Sequence, residues 1–380
     1  MLTKTTPTLS ENKIIKLAGL GPGNEQYRTL AVEEAIANAD VIFGAPRLLE
    51  AVDSQTKAEE RFPYYQPEKI LEWLDGHPAF ERPVVLFSGD TGFYSGAITF
   101  LNALKKREET KPAYETEILC GISSIVYFCS KAKLSWHDVR LLSRHGRECN
   151  VIGHLRYDKK CILLLSGLSE LKDTARSLIE AREAGVLANP LVTYGYQLSY
   201  PEEEICQMEP EGLLSLTKEG LYILYIAHEG SPLQNVTPGI RDSEFLRAKV
   251  PMTKEEVRWV SLCKLGLKPD SVLYDIGAGT GSISIEAALL CVDGSVHAVE
   301  YKEDAYELLK KNKAKFHTEN LNLIHAKAPE GLENLPVPSH AFIGGSAGNM
   351  EEIVRYLFTK NPGIRIVVNC IALETLAEVT

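Results

Sequence analysis

Val272-Leu273-Tyr274-Asp275-Ile276-Gly277-Ala278-Gly279-Thr280-Gly281 runs from an apolar strand into a turn with glycine at every second position. Glycine accepts positive φ and lets a ligand approach the backbone closely. An apolar helix opens near Ser282, so the segment reads as strand, turn and helix. Glu300 ends the next strand, about 20 residues beyond the turn, where a carboxylate can accept both hydroxyls of a ribose. The nicotinamide fingerprint GxGxxG is not met, because its third glycine would fall on Ser282. A second group of residues suited to ligand chemistry lies nearer the N-terminus. Ile14 to Asn24 is a strand ending in Gly21-Pro22-Gly23, and Val84 to Ser95 carries Gly89, Asp90 and Phe93 at its carboxyl end. Ligands sit at such strand ends in open α/β sheets. Cys120-Gly121-Ile122-Ser123-Ser124, Ser143-Arg144-His145-Gly146-Arg147 and Gln197 to Glu203 follow. Arg144 and Arg147 can form bidentate bonds with carboxylates; a solvated basic turn is the alternative. His145 has no cysteine or histidine at ligand spacing and receives no metal role.

The elements that must position these residues alternate between short apolar strands and helical stretches, which predicts an α/β fold with largely parallel sheets. Strands are expected at 14–20, 40–43, 83–88, 117–120, 139–143, 161–166, 191–196 and 221–227, with a helix at 30–38. Residues 229–240, EGSPLQNVTPGI, are rich in Gly, Pro and Ser and read as a linker. A new series follows, with a helix at 254–265 and strands at 271–276, 295–301, 321–325, 340–343 and 364–371. The 380 residues carry 44% apolar and 24% charged side chains, an ordinary globular composition. A net charge of −10 disfavours a broad nucleic-acid surface. No apolar run approaches the roughly 20 residues of a membrane span. The eight cysteines are scattered with no CxxC pair, so a zinc site or disulfide framework is not expected and a reducing cytoplasm fits.

Asp275 ahead of alternate glycines resembles the DxGxGxG pattern of seven-strand S-adenosylmethionine (SAM) methyltransferases. Gly239-Ile240-Arg241-Asp242, Lys249 to Arg258 and Phe342 to Asn349 extend the likeness. Residues 241–380 thus resemble the decarboxylating precorrin methyltransferases of cobalamin synthesis, which act at C-15 of the tetrapyrrole. The resemblance implies SAM contacts from Thr253, Gly277, Ala278, Gly279, Thr280, Gly281, Glu300 and Ala328. Thr253 has a second possible use, as the cap of a capping box with Glu256. Two positions depart from the pattern. Lys327 stands where an aspartate is usual and can only donate hydrogen bonds, and Ala347 replaces a usual glycine.

Residues 13–228 resemble the tetrapyrrole methylase family, most closely its C-5 methyltransferases. That likeness implies two α/β subdomains, about 13–115 and 116–228, clamping SAM between them. Pro22, Gly89, Asp90, Phe93 and Ser123 would contact the cofactor, and Arg144, His145 and Arg147 the polycarboxylate substrate. Asn24 replaces a usual aspartate; a base there would be lost, whereas a turn-forming role would survive. The implied protein is a tetrapyrrole-methylase fold fused to a Rossmann-like SAM methyltransferase domain lacking its last two strands. The seven-strand order is 3-2-1-4-5-7-6, and only five strands are counted, so 364–371 is expected to be an open edge. The implied activity is methylation of a precorrin or cobalt-precorrin at C-5 and C-15, with decarboxylation of the C-12 acetate. No catalytic base is assigned. A cytoplasmic homo-oligomer, with no nucleic-acid or membrane partner, is expected. Two other readings stay open: a methyltransferase for RNA or protein, since both folds host such enzymes, and a fusion in which one half binds SAM without chemistry.

Overall fold

A computed structural model describes residues 13–108, 114–145, 148–230 and 237–370. The chain divides into two compact units: Met1–His137 with Tyr194–Cys206, and Asp138–Thr193 with Gln207–Thr380.

The first unit is built on β1 (Ile14–Gly19), β2 (Val41–Phe43), β3 (Glu60–Phe62), β4 (Pro83–Phe87) and β5 (Glu115–Leu119), in the order β3-β2-β4-β1-β5 with parallel pairing. Successive side chains of a strand point to opposite faces. Ala18, Ile42, Val84 and Leu86 accordingly pack on one side with Val32 and Ile36 of the helix Leu30–Asn38. Leu17, Val41, Phe43 and Val85 pack on the other side with Ile70 and Phe100. Burial on both faces is what makes these strands near-continuous apolar runs. β3 escapes a sequence reading because it has three residues, two of them exposed and charged.

A second sheet comprises β6 (Arg140–Ser143), β7 (Lys160–Leu165), β8 (Leu191–Tyr196), β9 (Glu204–Met208) and β10 (Tyr222–Ala227), in the order β6-β7-β10-β8-β9. Here the expectation of parallel strands needs a partial correction. β6 is parallel to β7, but β10 runs antiparallel to it across Tyr222–Ala227. Both alignments bury the same apolar strands, so composition does not separate them. β9 was not expected; its Glu, Cys and Gln side chains hide a strand at a sheet edge.

The third sheet carries β11 (Val272–Ile276), β12 (Ser295–Glu300), β13 (Leu321–His325), β14 (His340–Ile343) and β15 (Arg365–Val368). All four pairings are parallel and the order is β13-β12-β11-β14-β15, the 3-2-1-4-5 part of the expected series. The helix Ser282–Leu290 contributes Ile283, Ile285 and Leu289 to one face, and Met350, Ile353 and Leu357 cover the other. Among the described residues β15 pairs only with β14, as the edge expectation requires, and it is shorter than the predicted 364–371. Ile371 lies outside the described residues.

The second unit, which holds β6, β7, β10 and the third sheet, is tied together internally. Tyr157 donates to the Leu289 carbonyl at 3.2 Å, His154 Nε2 lies 2.9 Å from Asp293 Oδ1, and Arg156 donates to the carbonyls of Phe316 and His317. Burial lowers the Arg156 guanidinium to about 10, yet its contacts close the C-terminal end of the helix Glu303–Phe316.

Candidate cofactor sites

In the third sheet the glycine turn sits where the carboxyl ends of β11, β12 and β14 meet. Gly277 has φ +73°, and a Cβ there would lie 2.6 Å from the Gly345 carbonyl oxygen. Only glycine lets the two loops approach this closely. The Phe342–Asn349 motif is thereby brought against the glycine turn. Glu300 is buried at the end of β12, with its two carboxylate oxygens facing different loops. Oε2 accepts the Gly279 N–H at 2.9 Å, and Oε1 accepts the Lys302 N–H at 2.9 Å. Each oxygen keeps a further lone pair, so the carboxylate that organises the turn can also accept ribose hydroxyls.

Two buried polar atoms of this strand and turn, Asp275 Oδ1 and Thr280 Oγ, have no hydrogen-bond partner among the described residues. Such groups are costly unless a ligand or water satisfies them. The residues therefore suit a polar nucleoside cofactor. Ala328 is buried beyond β13, and its carbonyl accepts from the Asn349 side chain at 3.1 Å. That bond joins the third-strand and fourth-strand motifs and sets Asn349 beside the candidate site. Lys327 is exposed beside it. Ala347 adopts φ +50°, which explains physically why glycine would be preferred there. Thr253 does not cap the following helix: the cap position is Lys254, without a side-chain cap bond. Its carbonyl instead accepts from Arg258 at 2.8 Å.

Asp275 is fully buried, and burial is the main cause that pushes its carboxyl up to about 7, against the bond it accepts from Ser284. A folded-state value above the ordinary 3.8 means that the native protein keeps a proton the unfolded chain releases. Stability therefore falls as pH rises from about 4 to about 7, and the penalty is complete above that window. Asp275→Asn keeps an acceptor for Ser284 and removes the titration. Its melting temperature relative to the parent should rise between about pH 5 and about pH 8. A pH-independent difference would place the titrating group elsewhere.

In the first unit the loops after β1, β4 and β5 converge in the same manner. The Gly21 N–H donates to the Gly89 carbonyl at 3.1 Å, and Gly89 donates back to Gly21 at 2.9 Å. A Cβ on Gly121 would lie 2.2 Å from the Gly89 oxygen and 2.5 Å from the Gly19 oxygen. The segments holding Pro22, Gly89 and Ser123 are thus locked at adjacent strand ends. Asp90 accepts the Gly92 N–H at 2.8 Å in a local turn, half-buried Phe93 meets Tyr94 edge-on, and Ser123 caps the helix Ser124–Ala132. Asn24 keeps the turn-forming role: its side chain accepts the Gln26 N–H at 3.0 Å. Its own N–H donates to Ser199 at 2.7 Å, bringing the Gln197–Glu203 motif beside the Gly-Pro-Gly loop.

Comparison with known proteins follows this division of motifs. Residues 15–211 match the model of the tetrapyrrole (corrin/porphyrin) methylases, and residues 244–380 match that of the precorrin methyltransferase domain. The chain belongs to the tetrapyrrole methylase family. Its second half also belongs with the precorrin methyltransferases. A relative described as a probable cobalt-precorrin-6B C(15)-methyltransferase (decarboxylating) from Pyrobaculum calidifontis is 45% identical over 143 residues, covering 37% of this chain and 73% of the relative. One of the same description from Methanocaldococcus jannaschii is 41% identical over 141 residues, covering 37% and 74%. A solved structure described as precorrin-6Y C5,15-methyltransferase from Geobacter metallireducens is 44% identical, covers 37% of this chain and 76% of that one, and has a TM-score of 0.36.

Arg144 of this tetrapyrrole methylase is not a solvated turn residue. It is half-buried and donates to Thr174 Oγ1 at 3.2 Å and to the Cys149 carbonyl at 3.4 Å. Part of its donor fork is therefore engaged by the protein. His145 is exposed, with its N–H on Ser143 Oγ at 3.3 Å, and Arg147 lies outside the described residues. No helix among the described residues is long and apolar enough to cross a membrane.

Proposed function

We propose that this methylase transfers methyl groups from SAM to a precorrin or cobalt-precorrin, at C-5 through residues 13–228 and at C-15 through residues 241–380. Loss of the C-12 acetate carboxyl as carbon dioxide accompanies the second transfer. The observation that carries the reading is the buried Glu300 carboxylate spanning the glycine turn and the loop after β12. It is supported by the family membership of both halves. Thr253, Gly277 to Gly281, Glu300 and Ala328 would hold one cofactor; Pro22, Gly89, Asp90, Phe93 and Ser123 would hold another. SAM supplies an activated methyl group on its sulfonium when bound. The protein's task is then to align a nucleophilic ring carbon with that methyl and to exclude water. Such proximity is worth up to roughly 7–11 kcal/mol of barrier. Arg144, His145 and Arg147 are proposed to orient substrate carboxylates, Arg144 from a position already pinned by Thr174. A cytoplasmic homo-oligomer belongs to the same proposal.

The test is mass spectrometry of the product after incubation with SAM and precorrin-6B or its cobalt form. Two added methyl groups and one lost carbon dioxide are expected. A single methyl without decarboxylation would leave the second half a scaffold, and no methyl would overturn the reading. Calorimetric titration of the intact chain with S-adenosylhomocysteine should give a stoichiometry near two. A value near one in a fully folded protein would remove one of the two sites.

A further inference from the structure

Among the described residues Arg258 is the largest fully buried side chain, yet it is charged. Its guanidinium is richly satisfied. Nε donates to Glu286 Oε1 at 2.6 Å, and Nη1 donates to Asp242 Oδ1 at 3.0 Å and to the Thr253 carbonyl at 2.8 Å. Nη2 donates to the Ile240 carbonyl, and the Phe245 ring lies 4.8 Å from the guanidinium carbon. Glu286 is equally buried, and its other oxygen accepts from Thr237 Oγ1 at 2.9 Å and from the Gly239 N–H at 2.8 Å. One ion pair therefore gathers Thr237, Gly239, Ile240, Asp242 and Thr253 around a residue of the helix that begins just after Gly281. The same segment reaches the glycine turn: a Cβ on Gly279 would lie 3.2 Å from the Pro251 carbonyl oxygen.

We propose that Arg258, paired with Glu286, is a positioning residue that sets the Pro251–Thr253 segment against the glycine turn and so shapes the second cofactor site. This rests on the SAM reading given above. Desolvating both charges offsets much of their attraction, and well-packed apolar replacements are often as stable. Five directed hydrogen bonds, however, hold residues 237–253, whose only regular element is the short 3-10 turn Asp242–Glu244, in one register, which apolar packing does not. An arginine is suited to this because its planar fork reaches several acceptors at once.

The experiment uses the full chain and calorimetric titration with S-adenosylhomocysteine, with melting curves to confirm folding. Failure of the parent protein to bind would count against the SAM reading itself, not against the role of Arg258. Given binding, Arg258→Met should weaken the second site at least about tenfold, as loss of charge-assisted bonds does, and leave the first site unchanged. In C-15 methylation it should raise the KM for SAM more than it lowers kcat. Arg258→Lys, which keeps the charge without the fork, should fall between. A folded Arg258→Met protein binding within about twofold of the parent would overturn the proposal, because that change is under half a kcal/mol. If Arg258→Met does not fold, Asp242→Ala decides: it leaves the Glu286 pair intact and should still weaken the second site. Unchanged affinity in that variant would overturn the proposal equally.

Discussion

Replacing Glu300 with alanine should weaken S-adenosylhomocysteine binding at the second site by about tenfold to a hundredfold, the largest single effect expected of any cofactor-site side chain. Hydrogen bonds to a charged group contribute roughly 1.5–3 kcal/mol, and 1.4 kcal/mol is about tenfold in affinity. Two effects act in the same direction. Alanine removes the acceptor for ribose hydroxyls, and it leaves the Gly279 and Lys302 N–H groups without the carboxylate that organises them. Glu300→Gln separates these effects. An amide retains one acceptor oxygen but turns a donor toward one of the two N–H groups, so an intermediate loss is expected. Titration of the full chain checks both variants, with the first site as internal reference. Equal affinity of Glu300→Ala and the parent would show that the cofactor does not lie across this turn.

The second large effect is expected from Gly121→Ala in the first unit. The added methyl would fall 2.2 Å and 2.5 Å from two backbone oxygens, those of Gly89 and Gly19. Neither oxygen belongs to a flexible side chain. Moving the Gly89 carbonyl breaks its bond to Gly21, and moving Gly19 disturbs the end of β1. Overpacking usually costs about 1–3 kcal/mol, and a rigid backbone contact belongs at the upper end or beyond. C-5 methylation should be lost, while C-15 methylation and decarboxylation persist in the product mass. Gly76→Ala is the size-matched control, since its added methyl meets nothing within 4 Å. If Gly121→Ala behaves like that control, the close approach of the three loops is not required for the first activity.

Much of the architecture was legible before any fold was known. The helix Leu30–Asn38 and the strands β1, β4, β11 and β12 follow from apolar runs, and β1, β4 and β11 also from glycines just beyond them, signals carried by neighbouring residues. The strand–turn–helix around Gly277 and the acid at position 300 are also local, so the family could be read from the chain itself. β3 and β9 were not legible, being short and polar at sheet edges. The direction of β10 was not legible either, because an apolar strand satisfies its burial in both alignments. Nor did Thr253-x-x-Glu256 act as the capping box it spells.

Only the tertiary structure decided which distant residues meet. Gly19, Gly89 and Gly121 are about a hundred residues apart at the extremes, and none stands out alone in the sequence. A Cβ on Gly19 or Gly121 would collide with neighbouring backbone where the strand ends converge, and Gly89 sits beside them at φ +68°. In the sequence Arg258 marks only the end of a motif, and its partners Asp242 and Glu286 lie 16 and 28 residues away. Local sterics and hydrophobic periodicity act between near neighbours, so they are written in the order of residues. A charge buried against a partner, or a glycine pressed on another backbone, depends on how whole elements pack, and the chain settles that only on folding.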